Sequence, residues 1–581
     1  MSRSAAPCRL IRTRTSRWVT LCLVAGAGSF IAWVAMAFSR EDIEAIESPL
    51  ALVVARQLES SAGGIYGPYG RGNPRVLIHA PLYYRLATVA AWPLWRAGFD
   101  PVTASLAAGR LLSALGFLMT MAAAYGLGRV GGLPSRAGYW AGLLVASTPV
   151  HSGLPLEVRP DILAVGLQST GILLVLWALD AQRAALRKLA AAFACFGVAL
   201  CIKQHFVMAP LISLFLLVWN RARCRLGLVS ILRYVLIAFT IVVLYYSMEE
   251  WVTGGRMSRS ILVAAGNVGS VHPADWPSAG NLLLALIWKC VGLILLLGAA
   301  GLAMVSRRSR SGRRALVAAG TGLIGLVVAL TVCQFVVVRP TFFGLLALLL
   351  LVILAVVIPA CALFEKSLFG DFADLALLAY FAAEMALTSV LWRLNAGGSF
   401  NYAIEAVVIA CALTGRALAR AFDGATSRRS LFPAALAALA VPVFAFTDVK
   451  ERLGKRQVER AGLARVSTLL RRPAAEIFFV DLPGANRLHG RLDMVYDPWL
   501  YPVFESIGLA EPRSIWLEEA LSTGPVRVVV STTSRPRIEG LGRTLHELGY
   551  EDAIRVGDYF IWKKRAHGGE QARAPVDDIV K

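Results

Sequence analysis

The polar residues with chemistry to offer fall in five short segments between long apolar runs. The first holds Arg40, Glu41, Asp42, Glu44 and Glu47, and the second, LEVRPD, holds Glu157, Arg159 and Asp161. Lys203, Gln204 and His205 form the third, Arg339 and Pro340 the fourth, and Asn401, Tyr402 and Glu405 the fifth. A carboxylate beside the first apolar run can act as a general base toward a hydroxyl. Separate cations at Arg159, Lys203 and Arg339 can bind a phosphate and stabilise its charge as it leaves. Base and phosphate clamp together suggest group transfer from a lipid phosphate to an acceptor alcohol. At a single helix end, an acid that only neutralises a snorkelling cation is an equally good account. Charges near a bilayer cost several kcal/mol unless solvated or paired, so five such segments on one face make a polar pocket the better reading.

The elements that must position these residues are membrane helices. Hydrophobic residues make up 57% of the chain and charged residues 17%, with a mean hydropathy of +0.61; a soluble domain sits near half and a quarter. Apolar runs from Trp18 to Phe446 are long enough to cross a ~30 Å hydrocarbon core. Candidate spans run 18–38, 103–127, 138–156, 162–180, 189–202, 205–219, 229–248, 281–304, 315–338, 342–363, 373–392, 403–421 and 431–447, about thirteen helices. The run 18–38 follows Arg9, Arg12, Arg14 and Arg17 and ends in AMAF, so it is either a cleaved signal peptide or, better, a retained anchor, because many more spans follow.

The net charge of +22 is spread in clusters between alternate spans, as the positive-inside rule expects, and does not argue for nucleic acid. These clusters are Arg129 with Arg136; Arg183, Arg187 and Lys188; Arg221, Arg223 and Arg225; Arg307, Arg308, Arg310, Arg313 and Arg314; Lys366; and Arg416, Arg420, Arg428 and Arg429. With the N-terminus inside, all of them are cytoplasmic, which predicts a multi-pass protein of the cytoplasmic (inner) membrane. Residues 82–98, LYYRLATVAAWPLWRAG, would invert that order if they crossed. Arg85, Arg96, Trp92 and Trp95 suit instead a helix lying at the outer interface.

An odd number of spans leaves residues 448–581 outside. The stretches EIFFVDL, VRVVVST and YFIWKK, with turn signals between them, predict a small α/β domain there. The division is thus a basic N-terminus over 1–17, a helical membrane domain over 18–447 with a first outer loop at 39–102, and an extracytoplasmic domain over 448–581. Nine cysteines form no CxxC pair and sit mostly in apolar runs, where they serve as small hydrophobes. No Walker loop, GxGxxG or HExxH occurs. No cofactor is required; the acid-rich first loop is compatible with a divalent ion.

The chain resembles the GT-C superfamily of integral membrane glycosyltransferases, in particular bacterial relatives of protein O-mannosyltransferases and aminoarabinose transferases. The residues that carry the resemblance are REDIE at 40–44, HAPLYYRL at 79–86, EVRPDILA at 157–164, IKQH at 202–205, SFNYAIE at 399–405 and YDPWLY at 496–501. It implies an inverting transferase with a polyprenyl-phosphate sugar donor and an acceptor hydroxyl on a lipid, glycan or protein. By position the catalytic base falls on Asp42, with Glu41 as the rival and Glu44 or Glu47 as further alternatives. Where the family commonly shows two adjacent prolines, this chain has His79, Ala80 and Pro81. Substrate-binding residues implied by position are His79, Tyr83, Arg159, Asp161, Lys203, Gln204, Arg339, Asn401, Tyr402 and Glu405. Tyr66 and Tyr69 either line the sugar site or rest on the interface. A transporter, flippase or polymerase of lipid-linked saccharides is the rival. A transporter gathers polar groups at mid-membrane, often with an internal repeat. No repeat is seen here and the polar segments gather at one face, while Gln334 and Glu384 within apolar runs are the features that favour the rival.

Overall fold

The computed structural model describes residues 5–37, 47–59, 65–66, 77, 79–151, 157–180, 186–222, 224–271, 276–305, 371–394, 400–423, 434–435 and 437–450, with shorter stretches between 477 and 565. Two compact units divide the chain. One comprises Met1–Ile43, Val54–Ile65 and Ile78–Arg452, and the other Glu44–Val53, Tyr66–Leu77 and Leu453–Lys581. The first loop's acids Glu41, Asp42 and Glu44, as well as Arg339, Gln334, Tyr69 and the YDPWLY stretch, lie outside the described residues.

The first unit is helical. Its elements include α1 (Ala5–Ala37), the Val54–Glu59 part of α2 (Glu47–Glu59), α3 (Leu82–Arg96), α4 (Pro101–Arg129), α5 (Ser135–Ser147) and α6 (Asp161–Asp180). They continue with α7 (Leu186–Ile202), α8 (Met208–Trp219), α9 (Leu228–Thr253), α10 (Trp276–Lys289), α11 (Val291–Val305), α12 (Phe372–Leu394) and α13 (Ile404–Asp423). Helical backbone also covers 437–450. Helix α4 starts where the Asp100 carboxylate accepts from the amides of Val102 (3.1 Å) and Thr103 (2.9 Å), with Pro101 in the first turn; the cap satisfies amides the helix cannot. Helix α9 ends at Gly254, whose φ of 59° is open to glycine at little cost.

Among the described residues, five helices are long and apolar enough to cross a membrane: Pro101–Arg129, Asp161–Asp180, Leu228–Thr253, Phe372–Trp392 and Asn401–Asp423. The chain is a multi-pass membrane protein. Several spans expected from the sequence are shorter in the structure. In the run 138–156 the α-helix ends at Ser147 and a 3-10 turn follows at Pro149–His151, and 205–219 forms the 12-residue α8. The run 281–304 forms two helices, α10 and α11, that part at Cys290. Helix α3 has 15 residues, about 22 Å at 1.5 Å per residue, short of a ~30 Å core.

Side chains from α4, α6, α7, α8, α9, α12 and α13 form one buried apolar cluster, including Leu127, Ile172, Phe196, Leu217, Tyr234, Tyr380 and Ile409. Helices α4 and α6 nearly touch at Gly116, where an added Cβ would come within 2.5 Å of the Leu163 backbone. Small residues at helix interfaces allow such approach in membrane bundles. One basic cluster is placed differently from the expectation of a cytoplasmic loop. Arg416 is fully buried in α13, donates to Asp371 at 2.8 and 2.9 Å and to Asp374, and also binds the Leu127 (3.1 Å) and Val130 carbonyls. Arg420 joins the same two carboxylates. These arginines tie α12 and α13 to the end of α4.

The second unit contains a four-stranded sheet of β1 (Ile477–Phe479), β2 (Val528–Ser531), β3 (Ile554–Val556) and β4 (Tyr559–Lys563), in the order β1-β2-β4-β3. Strands β1 and β2 run parallel, and β4 pairs antiparallel with both β2 and β3. The three apolar stretches singled out in the sequence supply β1, β2 and β4. Val528, Val529 and Val530 are buried, as a strand covered on both faces requires.

Candidate functional site

Four polar segments that are far apart in the chain meet at one end of the helical unit. Asp161 opens α6, and Glu157 and Arg159 precede it in a turn. Arg159 Nη1 donates to Glu157 Oε2 at 3.2 Å, and its Nε lies 3.8 Å from Asp161 Oδ2. The end of α7 delivers Lys203, whose Nζ donates to Asp161 Oδ1. Lys203 and Asp161 are both almost fully buried, at 2% and 1% exposure. A buried cation is tolerable only with such a partner.

The turn after Lys203 reaches the other two segments. Gln204 Oε1 accepts from the Ala80 amide at 3.2 Å, which holds the His79–Pro81 stretch beside it. The His205 ring packs edge-on against Tyr402, with centroids 5.0 Å apart, and Lys203 Nζ lies 5.8 Å from the Tyr402 ring centre. Tyr402 belongs to a 3-10 turn, Phe400–Ala403, that leads into α13. Its carbonyl accepts from Thr388 Oγ1 of α12 at 2.9 Å. Asn401 is buried in the same turn. Gln168 Nε2 of α6 donates to the Phe206 carbonyl at 2.8 Å and pins the α7–α8 turn.

Tyr83, in the first turn of α3, is buried and donates to the Gly109 carbonyl at 2.9 Å. It also meets Ser113 Oγ at 3.2 Å, and Ser113 in turn donates to the Glu157 carbonyl at 2.6 Å. Its hydroxyl is thus engaged in holding the 157–161 turn. Gly109 matters for the same reason, since a Cβ there would come within 2.6 Å of Val158.

The electrostatics follow from burial beside a cation. Burial pushes the Lys203 ammonium below its ordinary value, Asp161 opposes that shift, and the Arg159 guanidinium adds to it. Burial and Lys203 lower His79 to about 3, with Asp161 pulling the other way and Arg159 reinforcing the drop. His205 falls well below its usual range by burial and by Lys203, against Asp161, with His79 lowering it further. Both imidazoles are therefore neutral at physiological pH, leaving Lys203 and Arg159 as the cations of the cluster. His205 Nε2 has no hydrogen-bond partner among the described residues.

Glu405 sits one turn into α13 from Tyr402 and is fully buried. Neither of its carboxylate oxygens meets a donor among the described residues, and the same holds for Oε1 of the buried Glu384 on α12. No group of three or more metal-ligating side chains occurs among the described residues. Of the expected site residues, the structure brings together His79, Arg159, Asp161, Lys203, Gln204, Asn401 and Tyr402, sets Tyr83 and Glu405 against the segments that carry them, and leaves Asp42, Glu41 and Arg339 outside its described residues. Glu157 and His205, named above in the second and third polar segments, join the cluster as well.

Residues 86–246, which include Arg159, Asp161, Lys203 and Gln204, match the family model described as dolichyl-phosphate-mannose-protein mannosyltransferase. No curated protein matches the chain. Among solved structures, ArnT from Cupriavidus metallidurans bound to undecaprenyl phosphate is similar, with 15% identity, a TM-score of 0.49, and coverage of 96% of this chain and 100% of that one. The Archaeoglobus fulgidus oligosaccharyltransferase in its apo form gives 13% identity, a TM-score of 0.46, and coverage of 88% and 69%. With the family match spanning α3 to α9 and the motifs spread on either side of it, the chain resembles the GT-C superfamily of membrane glycosyltransferases.

Proposed function

We propose that the chain transfers a sugar from a polyprenyl-phosphate donor to an acceptor hydroxyl at the outer face of the membrane, with inversion at the anomeric carbon. The observation that carries this reading is the buried Lys203–Asp161–Arg159 cluster beside His79 and His205, inside the region matched by the family model. Two cations held among neutral imidazoles at one end of a helical bundle suit an anionic group that arrives from the lipid phase. The description of the matched family model, dolichyl-phosphate-mannose-protein mannosyltransferase, supports the same class of donor.

In this reading Asp42, or Glu41 in its place, takes the proton of the acceptor hydroxyl. The oxygen then attacks the anomeric carbon from the face opposite the phosphate. The bond from that carbon to the phosphate oxygen breaks, the new glycosidic bond forms, and polyprenyl phosphate leaves. Lys203 and Arg159, joined by Arg339, stabilise the charge that gathers on the departing phosphate. Asp161 orients Lys203 and keeps its ammonium charged. Tyr402, Asn401, Gln204 and His79 line the donor side, with Glu405 behind them. The proposed setting is the cytoplasmic (inner) membrane with about thirteen helices, the N-terminus inside and residues 448–581 forming an extracytoplasmic α/β domain. The acceptor is open among lipid, glycan and protein.

The test is transfer of labelled sugar from polyprenyl-phosphate donors in membranes that contain the chain, beside Asp42→Asn. Transfer by the parent and its loss in Asp42→Asn are expected. Transfer that survives in Asp42→Asn moves the base to Glu41, Glu44 or Glu47. Movement of intact lipid-linked saccharide across the bilayer without transfer would favour the transporter reading, for which Glu384 and Glu405 are the buried polar residues to hand.

A further inference from the structure

Helix α3 is gripped at its first turn from two sides. On one side Tyr83 reaches Gly109 and Ser113, as described above. On the other, Arg85 Nε and Nη2 donate to Glu249 Oε1 and Oε2 of α9, each at 2.9 Å, and Nη1 donates to Gln57 Oε1 of α2 at 3.0 Å. Tyr245 Oη adds a fourth bond, to Glu249 Oε1 at 3.1 Å. Glu249 is 1% exposed, so its carboxylate depends on these donors. In the sequence both arginines counted toward a helix lying at the interface. Arg96 packs over the Trp92 and Trp95 rings at 5.3 and 5.2 Å. Arg85 instead turns into the protein.

The partner helix is connected to the polar cluster as well. One residue after Tyr245, Tyr246 Oη donates to the Leu200 carbonyl at 3.0 Å, in the last turn of α7 just before Lys203. Helix α9 therefore holds the element that delivers Lys203 and, through Arg85, the element that follows His79. A guanidinium with two parallel bonds to one carboxylate fixes orientation as well as distance, which an ammonium cannot.

We propose that Arg85 is a positioning residue for the transfer site: its fork on Glu249 sets α3 so that His79 and Ala80 meet the Lys203–His205 turn. The role rests on the reading of that cluster as a lipid-phosphate site. Loss of a purely stabilising ion pair would lower thermal stability and leave ligand affinity alone. A positioning pair changes the order of residues 79–86 and the affinity together.

The experiment uses the purified full chain in nanodiscs, with undecaprenyl phosphate as the probe, and compares the parent with Arg85→Lys and Glu249→Gln. Three quantities are measured: amide hydrogen exchange over residues 79–86, lipid affinity and the thermal midpoint. Both variants are expected to exchange faster over 79–86 and to bind the lipid about tenfold more weakly. Arg85→Lys, which keeps the charge and loses the fork, should do so with little change in midpoint, and this protects the test if Glu249→Gln folds poorly. Unchanged exchange over 79–86 in Arg85→Lys overturns the proposal, and so does faster exchange with unchanged affinity. If the parent itself fails to bind the lipid, the transfer reading falls, and the exchange data still decide whether Arg85 docks the helix.

Discussion

Lys203 and Asp161 share a site with almost no solvent, so each depends on the other for its charge. Removing one partner of a buried pair strands the second, at about 3–5 kcal/mol. Lys203→Met is accordingly expected to cost about that much in thermal unfolding and to lower transfer well over tenfold, whereas Lys203→Arg retains part of both. His79 gives a prediction in pH. Its pKa is about 3 in the folded chain against 6.5 in the reference state, so the unfolded chain binds the proton first. Stability is unaffected above pH 6.5 and falls as pH drops from there toward 3. Denaturation at pH 7.5 and at 5 should show a smaller loss for His79→Gln than for the parent. Glu405 has the opposite character. It is a buried carboxyl with no donor among the described residues, so Glu405→Gln is expected to be neutral or stabilising by about 1 kcal/mol, as read from the thermal midpoint.

At the scale of elements, the cluster exists because helix ends converge, and that depends on close packing. Gly116 lets α4 and α6 approach until a methyl group no longer fits. Gly116→Val should cost about 1–3 kcal/mol and should disturb the 157–161 turn, visible as faster amide exchange there. The sequence made the polar segments legible, because LEVRPD, KQH and NYAIE stand out between apolar runs that must be buried or face lipid. Their mutual contacts were not legible. The Arg85–Glu249 pair joins residues 164 positions apart and follows only from how α3 lies on α9. Arg416 misled for a related reason: a basic residue near a helix end reads as a loop cation, and only packing reveals Asp371 and Asp374 beside it.

For the whole molecule, hydropathy was enough to give a helical membrane protein, since no water is present in the bilayer core to satisfy an open backbone. Span lengths were harder to read. An apolar run can continue past a helix end when the residues beyond it are buried by neighbours, as at Ser147, or can contain a junction, as at Cys290. Three strands of the second unit were legible as short apolar stretches between turn signals, β3 (Ile554–Val556) was not, and their order in the sheet depends on pairings that no local pattern encodes. The proposed orientation has its own check. Impermeant protease applied to spheroplasts should remove a C-terminal epitope tag and spare an N-terminal one; the reverse result would invert the topology.

The measurement closest to the central claim is equilibrium binding of undecaprenyl phosphate to the purified full chain, beside Arg159→Gln. If the cluster holds a lipid phosphate, the parent binds and Arg159→Gln binds about tenfold more weakly, since a bond to a charged group contributes about 1.5–3 kcal/mol. Equal affinity in the two proteins, or no binding by the parent, would contradict the account.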